Sequence, residues 1–494
     1  MQKAAAKPFF LLAIGAGKKY NSESFFREVG FDLNSQSNDL TQGNILGKLL
    51  HVALPIMGTQ LMQMTYNLTD MFWLGRTEHS VMSVAASGLA GMFLWLGMAP
   101  LTIGRMGAEI GTSQNLGRGD TRSAKAYALN SARISLLLGL IYGAVLFVFA
   151  SPLVKLLKVQ DPLVFDNTRG YLQIVGLGEP FAYLAAAITG SFNGAGNSRL
   201  SFTANAFGLV INMALDPLMI FHFDLGVRGA AWATIIAQAF VCLIFLIFAN
   251  YHKKRPFENF NLLGRFDFEK VGQIVKWSLP LALESAAFTL LAMIVTAMVT
   301  SLYGESAIAI QRVGSQIESL SWLIGGGFSS AVTAFIGQNY GAGKWTRIRR
   351  GYKIALSSLI VWEVMAMFVF IFGGRFLFSI FLRDNSEILD MGATYLKILS
   401  ICQIFMAFEG ACAGAFRGIG KTIPPSVSSV AANLSRPFMC WYLSRHFGLN
   451  GFWLGIALSA SLRGLIMLIW YTLYQRGLPM KDEINPAPVK SPAL

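Results

Sequence analysis

Asp216 closes the stretch Asn212-Met213-Ala214-Leu215-Asp216-Pro217. A helix would carry Asn212 and Asp216, four residues apart, on one face. Pro217 has no amide hydrogen, so the carbonyl of Met213 is left without its helical donor. Asn, Asp and a free carbonyl are hard oxygen ligands, and such a group can hold a sodium ion or a proton. Asp70 is a second candidate, with Asn67 and Thr69 beside it and Gln63 two turns before. A bland role is also open to Asp70, as a helix cap or as the partner of Arg76. Glu284, Glu318, Glu363 and Glu409 are further acids inside apolar stretches, while Glu109 and Glu179 lie nearer the ends of theirs. A carboxylate at bilayer depth is costly unless it faces a cavity or a partner, so position alone makes each of these a candidate.

The elements that must position these residues are membrane helices. Of the 494 residues, 54% are hydrophobic and 13% charged, and the mean hydropathy is +0.51. A soluble domain carries roughly 25% charged residues. The runs 134–154 and 229–252 contain no Asp, Glu, Lys or Arg, and about 20 apolar residues cross the hydrocarbon as a helix. The runs are too long for strands and do not alternate apolar with polar. About twelve such runs lie between residues 48 and 474. The expected fold is an all-α polytopic membrane protein: an amino tail 1–44, a six-helix bundle 45–252, a linker 253–269, a second six-helix bundle 270–475 and a carboxy tail 476–494.

Lys and Arg set the orientation, because they are retained on the cytoplasmic side. Roughly 26 fall on the tails and alternate loops on one side and roughly 8 on the other, which puts both termini in the cytoplasm. The net charge of +14 is then topology and contact with anionic lipid, through clusters such as Lys253-Lys254-Arg255 and Arg347, Arg349 and Arg350. No interleaving of aromatic and basic residues points to nucleic acid. Lys3 and Lys7 before the apolar stretch 8–16 resemble a short secretory signal, but cleavage there would leave the new amino end outside, against the charge bias. The stretch reads as cytoplasmic tail. Cys242, Cys402, Cys412 and Cys440 all fall inside spans, which argues for packing and against a disulfide framework or a zinc site.

The chain also repeats itself. Ser113-Gln114-Asn115-Leu116-Gly117-Arg118-Gly119-Asp120 returns as Gly337-Gln338-Asn339-Tyr340-Gly341-Ala342-Gly343-Lys344, and Phe192-Asn193-Gly194-Ala195-Gly196 returns as Phe416-Arg417-Gly418-Ile419-Gly420. Both pairs are offset by 224 residues. The offset covers six helices, an even number, so the halves enter the membrane in the same direction and are related by an axis along its normal. Two such bundles enclose a central cavity that rocking can open to either side. Gly117, Gly119, Gly341 and Gly343 read as helix caps in the left-handed conformation. A phosphate-cradling loop lacks its Lys-Ser/Thr pair here, so the energy would come from an ion gradient.

At these residues the sequence resembles the multidrug and toxic compound extrusion (MATE) transporters. The resemblance covers nearly all of 45–475 and rests on Asp70 with Trp73-Leu74-Gly75, on both repeated motifs and on Asn212 to Pro217. It implies an amino-half cation site of Asp70, Asn212, Asp216 and Thr234, able to take a proton or Na+, and a first helix that bends at Pro55. Pro217 is a second bending position. Some branches of the family place coupling acids on helices seven and ten, where Glu284 and Glu409 lie about a turn from the expected register. Together with Gln63 these are secondary candidates. Arg436 occupies the region of the second half equivalent to Asp216, which favours coupling in the amino half.

The expected activity is export of small organic cations in exchange for H+ or Na+, with no cofactor, by a single chain in a plasma membrane. Arg105, Arg312, Arg436 and Arg463 either neutralise Glu109, Glu318 or Glu409 between helices or line the cavity for anionic headgroups. The second possibility keeps a lipid-linked oligosaccharide flippase as a rival. An intramembrane enzyme is the other rival, but the five His residues form no metal-ligand motif and no nucleophile has a nearby base.

Overall fold

The computed structural model describes residues 39–251, 256–257, 260–381, 386–479 and 481–482. Most of the 1–44 tail with its signal-like stretch, the basic triplet Lys253 to Arg255 and most of the residues beyond 479 lie outside that description. All regular structure among the described residues is helical. The helices are α1 (Ile45–Leu74), α2 (Ser80–Gly117), α3 (Thr121–Val148), the short α4 (Ala150–Leu156), α5 (Pro162–Gly194), α6 (Ser198–Pro217), α7 (Gly226–Tyr251), α8 (Phe268–Gly341), α9 (Trp345–Ser379), α10 (Ser386–Ile419) and α11 (Ile423–Arg476).

The boundaries follow from local chemistry. Asn44, Asp120, Asp161 and Asp267 accept hydrogen bonds from the first free amides of α1, α3, α5 and α8, the donors that a helix start leaves unpaired. Pro162, at the first turn of α5, has no amide to waste. Two helices contain a break: α8 at Gly304 (φ 75°) and α11 at Gly448 (φ 58°). The first divides α8 into arms Phe268–Gly304 and Ser306–Gly341, and the second divides α11 into arms 423–447 and 449–476. With α1, α2, α3, α5, α6 and α7 in the amino half, these make twelve traverses, in two sets of six.

Three apolar cores among the described residues show how the helices are held together. One belongs wholly to the amino half and includes Leu74, Tyr171, Leu172 and Ile220. A second belongs wholly to the carboxy half and includes Val299, Phe378, Tyr395 and Trp453. The third crosses between halves: Leu49, Val52, Ala53 and Ile56 of α1 pack with Phe335 of α8, Trp345 of α9 and Phe416 of α10. That shared core lies beside the repeated motifs, where α2 and the second arm of α8 end.

The motifs do more than cap helices. Gly119 (φ 77°) and Gly343 (φ 67°) occupy the left-handed region expected of caps. Gly117 and Gly341 do not; they are the last helical residues of α2 and α8. A Cβ on Gly117 would lie 1.9 Å from the carbonyl oxygen of Gln338, and one on Gly341 1.9 Å from that of Gln114. Their lack of a side chain lets the two helix ends cross in contact. Around the crossing, Gln114 Nε2 donates to the Gly418 carbonyl and Gln338 Nε2 to the Gly194 carbonyl, each at 2.9 Å. The two bonds are equivalent under the 224-residue offset. Ser330 Oγ adds a 2.5 Å bond to Glu109 Oε1, again from one half to the other.

The segment before α1 docks on the same edge. Leu40, fully buried, donates its amide to Gln338 Oε1 at 3.0 Å, and its carbonyl accepts from Asn339 Nδ2 and Arg347 Nε, both at 3.2 Å. Arg347 also donates to the carbonyls of Gln42 and Gly43, and Arg349 to that of Leu478. Three nitrogens of Arg347 and one of Arg349 thus tie the tails to α9 through backbone carbonyls. Arg350 remains exposed.

Candidate functional site

Three helices of the amino half bring the four matching residues together. α6 carries Asn212 and Asp216 one turn apart, and both are fully buried. Asn212 Nδ2 donates to Asp216 Oδ1 at 3.2 Å. α1 places Asp70 beside Asp216, Asn212 and Thr234, the last from α7. Two neighbouring carboxyl groups repel unless a proton or a cation offsets their charge.

Four oxygens of this cluster lack a partner within the protein. Asp70 Oδ1, Asp216 Oδ2, Asn212 Oδ1 and Thr234 Oγ1 are all buried and have no hydrogen-bond partner within the protein. Buried oxygens are rarely left so. Four hard oxygens from four side chains suit a sodium ion, whereas two adjacent carboxyls suit a shared proton. Pro217 ends α6 and is followed by a π-helical turn, Leu218–His222, so the backbone beside the site is irregular on the side of the cluster. Pro55 lies inside α1, which continues through it as helix.

Two tyrosines complete the surroundings. Tyr66 of α1 donates its hydroxyl to the Thr234 carbonyl at 3.4 Å, and Tyr171 of α5, 6% exposed, faces both acids. Sequence reasoning passed over both. Tyr66 had a signal, since it precedes Asp70 by one turn on the same face of α1. Tyr171 had none, because only packing brings α5 beside the site.

The bland alternatives for Asp70 do not hold. α1 ends beyond it, at Leu74, with Gly75 as cap. Arg76 donates to the Phe72 carbonyl at 3.0 Å and stacks on the Phe72 ring, 3.4 Å from its centroid. Gln63 is exposed on α1 and lies outside the cluster. Glu284 and Glu409 are in the other half. Glu284 Oε2 accepts from Ser426 at 3.0 Å, and Glu409 is paired with Arg463 at 2.6 Å. Arg436 donates to Ser459 at 2.9 Å and faces Glu318, and Arg105 faces Glu109. Of these arginines, Arg463 makes the expected ion pair, with Glu409, while Arg105 and Arg436 lie near Glu109 and Glu318 without forming an ion pair among the described residues. Arg312 is exposed and is paired with none of the three acids.

Known proteins resemble this chain over most of its length. The family model MatE matches residues 55–218 and 280–442, one copy in each half. The chain is 27% identical over 435 residues to the probable multidrug resistance protein NorM of Thermotoga maritima, covering 86% of this chain and 91% of that one. It is likewise 27% identical over 458 residues to the probable multidrug resistance protein YpnP of Bacillus subtilis, covering 90% and 98%. Among solved structures, a crystal structure of MATE in the bent conformation superimposes with a TM-score of 0.83 at 19% identity, covering 90% of this chain and 98% of that one.

Proposed function

The chain belongs to the MatE family of membrane transporters, and on that footing we propose that it exports small organic cations across a plasma membrane in exchange for H+ or Na+ bound at Asp70, Asn212, Asp216 and Thr234. The observation that carries this reading is the cluster itself: the buried Asp216 beside the half-buried Asp70, with four buried oxygens that lack partners. The two relatives named above are both described as probable multidrug resistance proteins, which supports a drug-like cargo.

Alternating access supplies the cycle. The edge bearing the repeated motifs is the cytoplasmic one by the Lys and Arg distribution. It is sealed by the Gln114, Gln338 and Ser330 bonds and by the shared core, whereas the core around Val299 and the core around Leu74 each belong to one half. This arrangement corresponds to a state whose cavity faces outward. Protons or sodium ions arriving from outside neutralise Asp70 and Asp216, and a cationic cargo held in the same cavity loses its electrostatic partner and leaves. An inward-moving univalent ion gains about 2.3 kcal/mol per 100 mV, plus its concentration term. Breaking the sealed edge then exposes the site to the cytoplasm, where the ion is released and new cargo binds. A single chain contains both halves of the cavity and suffices for this cycle.

The test is efflux of a fluorescent organic cation from proteoliposomes under an imposed proton or sodium gradient, for wild type and Asp216→Asn. Asn removes the charge at nearly constant volume. Gradient-driven efflux that disappears in the variant, with the thermal transition unchanged, is the expected result. Normal efflux by a folded Asp216→Asn protein would sink the coupling assignment.

A further inference from the structure

A second buried carboxyl in the carboxy half takes no part in the cycle above. Glu363 of α9 is 1% exposed. It meets Ser321 on the second arm of α8 and, through it, Gln403 of α10; Ser321 is 3% exposed and Gln403 fully buried. Ser321 Oγ lies 2.6 Å from Glu363 Oε2 and 3.0 Å from Gln403 Oε1.

Proton counting decides what these distances mean. A serine hydroxyl has one hydrogen to give. Both of its neighbours are acceptors if Glu363 is ionised, and only one contact could then be a hydrogen bond. Reversing the Gln403 amide does not help. Its Nε2 donates to the Leu399 carbonyl at 3.3 Å, and reversal would set two oxygens against each other there. Both short contacts are satisfied when Glu363 carries a proton and donates it to Ser321, which in turn donates to Gln403.

The charges around Glu363 point the same way. The titratable groups that act on it or feel it from the packed helices are Glu318 on α8 and Glu409 and Cys402 on α10. Neither acid offers Glu363 a counter-charge, and Arg463, which could, is already paired with Glu409 at 2.6 Å. The other oxygen of Glu363 faces a gap. Oε1 lies 3.2 Å from the position that a Cβ on Gly325 would occupy, and beside it Gly326 is exposed, with nothing within 4 Å of its own Cβ position. Gly325 and Gly326 thus put no side chain between the carboxyl and the exposed face of α8, whereas Gly327, next in the chain, is buried against Met57 of α1.

We propose that Glu363, with Ser321 and Gln403, is a second proton-carrying site, loaded in this conformation and emptied through the glycine strip during the cycle. The step is a proton transfer alone: the carboxylic acid becomes carboxylate and the proton passes to water. The proposal rests on the ion-coupled export reading and adds one proton to it, separate from whatever ion the Asp70 cluster takes.

The test uses the full-length chain in proteoliposomes. Infrared difference spectra recorded on raising the pH should contain the C=O band of a carboxylic acid that loses its proton. Glu363→Gln should remove that band, and Asp216→Asn should leave it. Ser321→Ala, which keeps the carboxyl but cuts the relay, should shift its frequency. The proton-to-substrate ratio, read from the gradient that just halts transport, should fall by one in Glu363→Gln. A band that persists in Glu363→Gln, or that Ser321→Ala does not move, overturns the proposal. So does an unchanged ratio, because a proton that never leaves is only structural. If Glu363→Gln alters nothing while wild type still exports under an ion gradient, this proposal alone falls. If wild type shows no gradient-driven export, both readings fall.

Discussion

Placing methyl groups where the two halves cross should open the cytoplasmic edge. In the double substitution Gly117→Ala and Gly341→Ala, each new Cβ would lie 1.9 Å from a backbone carbonyl oxygen, against 3.4 Å for ordinary contact. The helix ends must therefore separate by about 1.5 Å, the difference between those distances. The obstacle is main chain on both sides, so no rotamer change can absorb it. The Gln114 and Gln338 bonds at 2.9 Å span this crossing and would stretch beyond hydrogen-bonding range. Each is worth about 0.5–1.5 kcal/mol net, so losing both costs the sealed state about 1–3 kcal/mol. That shifts the balance toward the cytoplasm-open state by about 5- to 150-fold. Spin labels on cysteines placed at the exposed Arg122 and Arg350 would report the distance across the edge, and the four native cysteines are buried and slow to react. The longer-distance population should grow in the double variant. An unchanged distribution in a folded protein would refute the reasoning that these glycines exist for the crossing.

Removing one member of the half-buried ion pair in the carboxy half should be more damaging than removing both. Arg463→Ala leaves Glu409 unpaired and should lower stability by about 3 kcal/mol in thermal unfolding, and Arg463→Ala with Glu409→Ala should recover part of it. A double variant less stable than the single would count against the pair. Outside the membrane, Asp120→Ala should cost about 1 kcal/mol by removing the cap of α3. The hydrogen bonds from Ser123 hold the Asp120 carboxyl below the usual aspartate range. A lowered folded value means that the wild-type advantage over the variant is present above the ordinary range and fades as pH falls through the lowered one. An advantage that instead grew on acidification would contradict this capping role.

The membrane helices were legible because the bilayer demands them: an apolar run of the right length has no other way to satisfy its backbone. The breaks at Gly304 and Gly448 fell between expected spans for the same reason, although the helices run on through them. The 224-residue repeat was legible because the same motifs must solve the same contact twice. What the motifs do was only half read. Gly119 and Gly343 are caps, a local property of the chain. Gly117 and Gly341 answer to a carbonyl more than 200 residues away, which no local signal records. Asp70 could be suspected from its depth, but its nearness to Asp216 depends on how α1 packs against α6.

By itself, then, the sequence determined the membrane, the number of traverses, the two-fold plan and the pair Asn212 and Asp216, because each follows from composition or from a helical period along one segment. The partnership of Asp70 with Thr234 and Tyr171, the clasp between Gln114 and Gly418, and the relay from Glu363 through Ser321 to Gln403 join different helices. Only tertiary structure could decide those, since the rotation and tilt of each helix are set by packing against its neighbours.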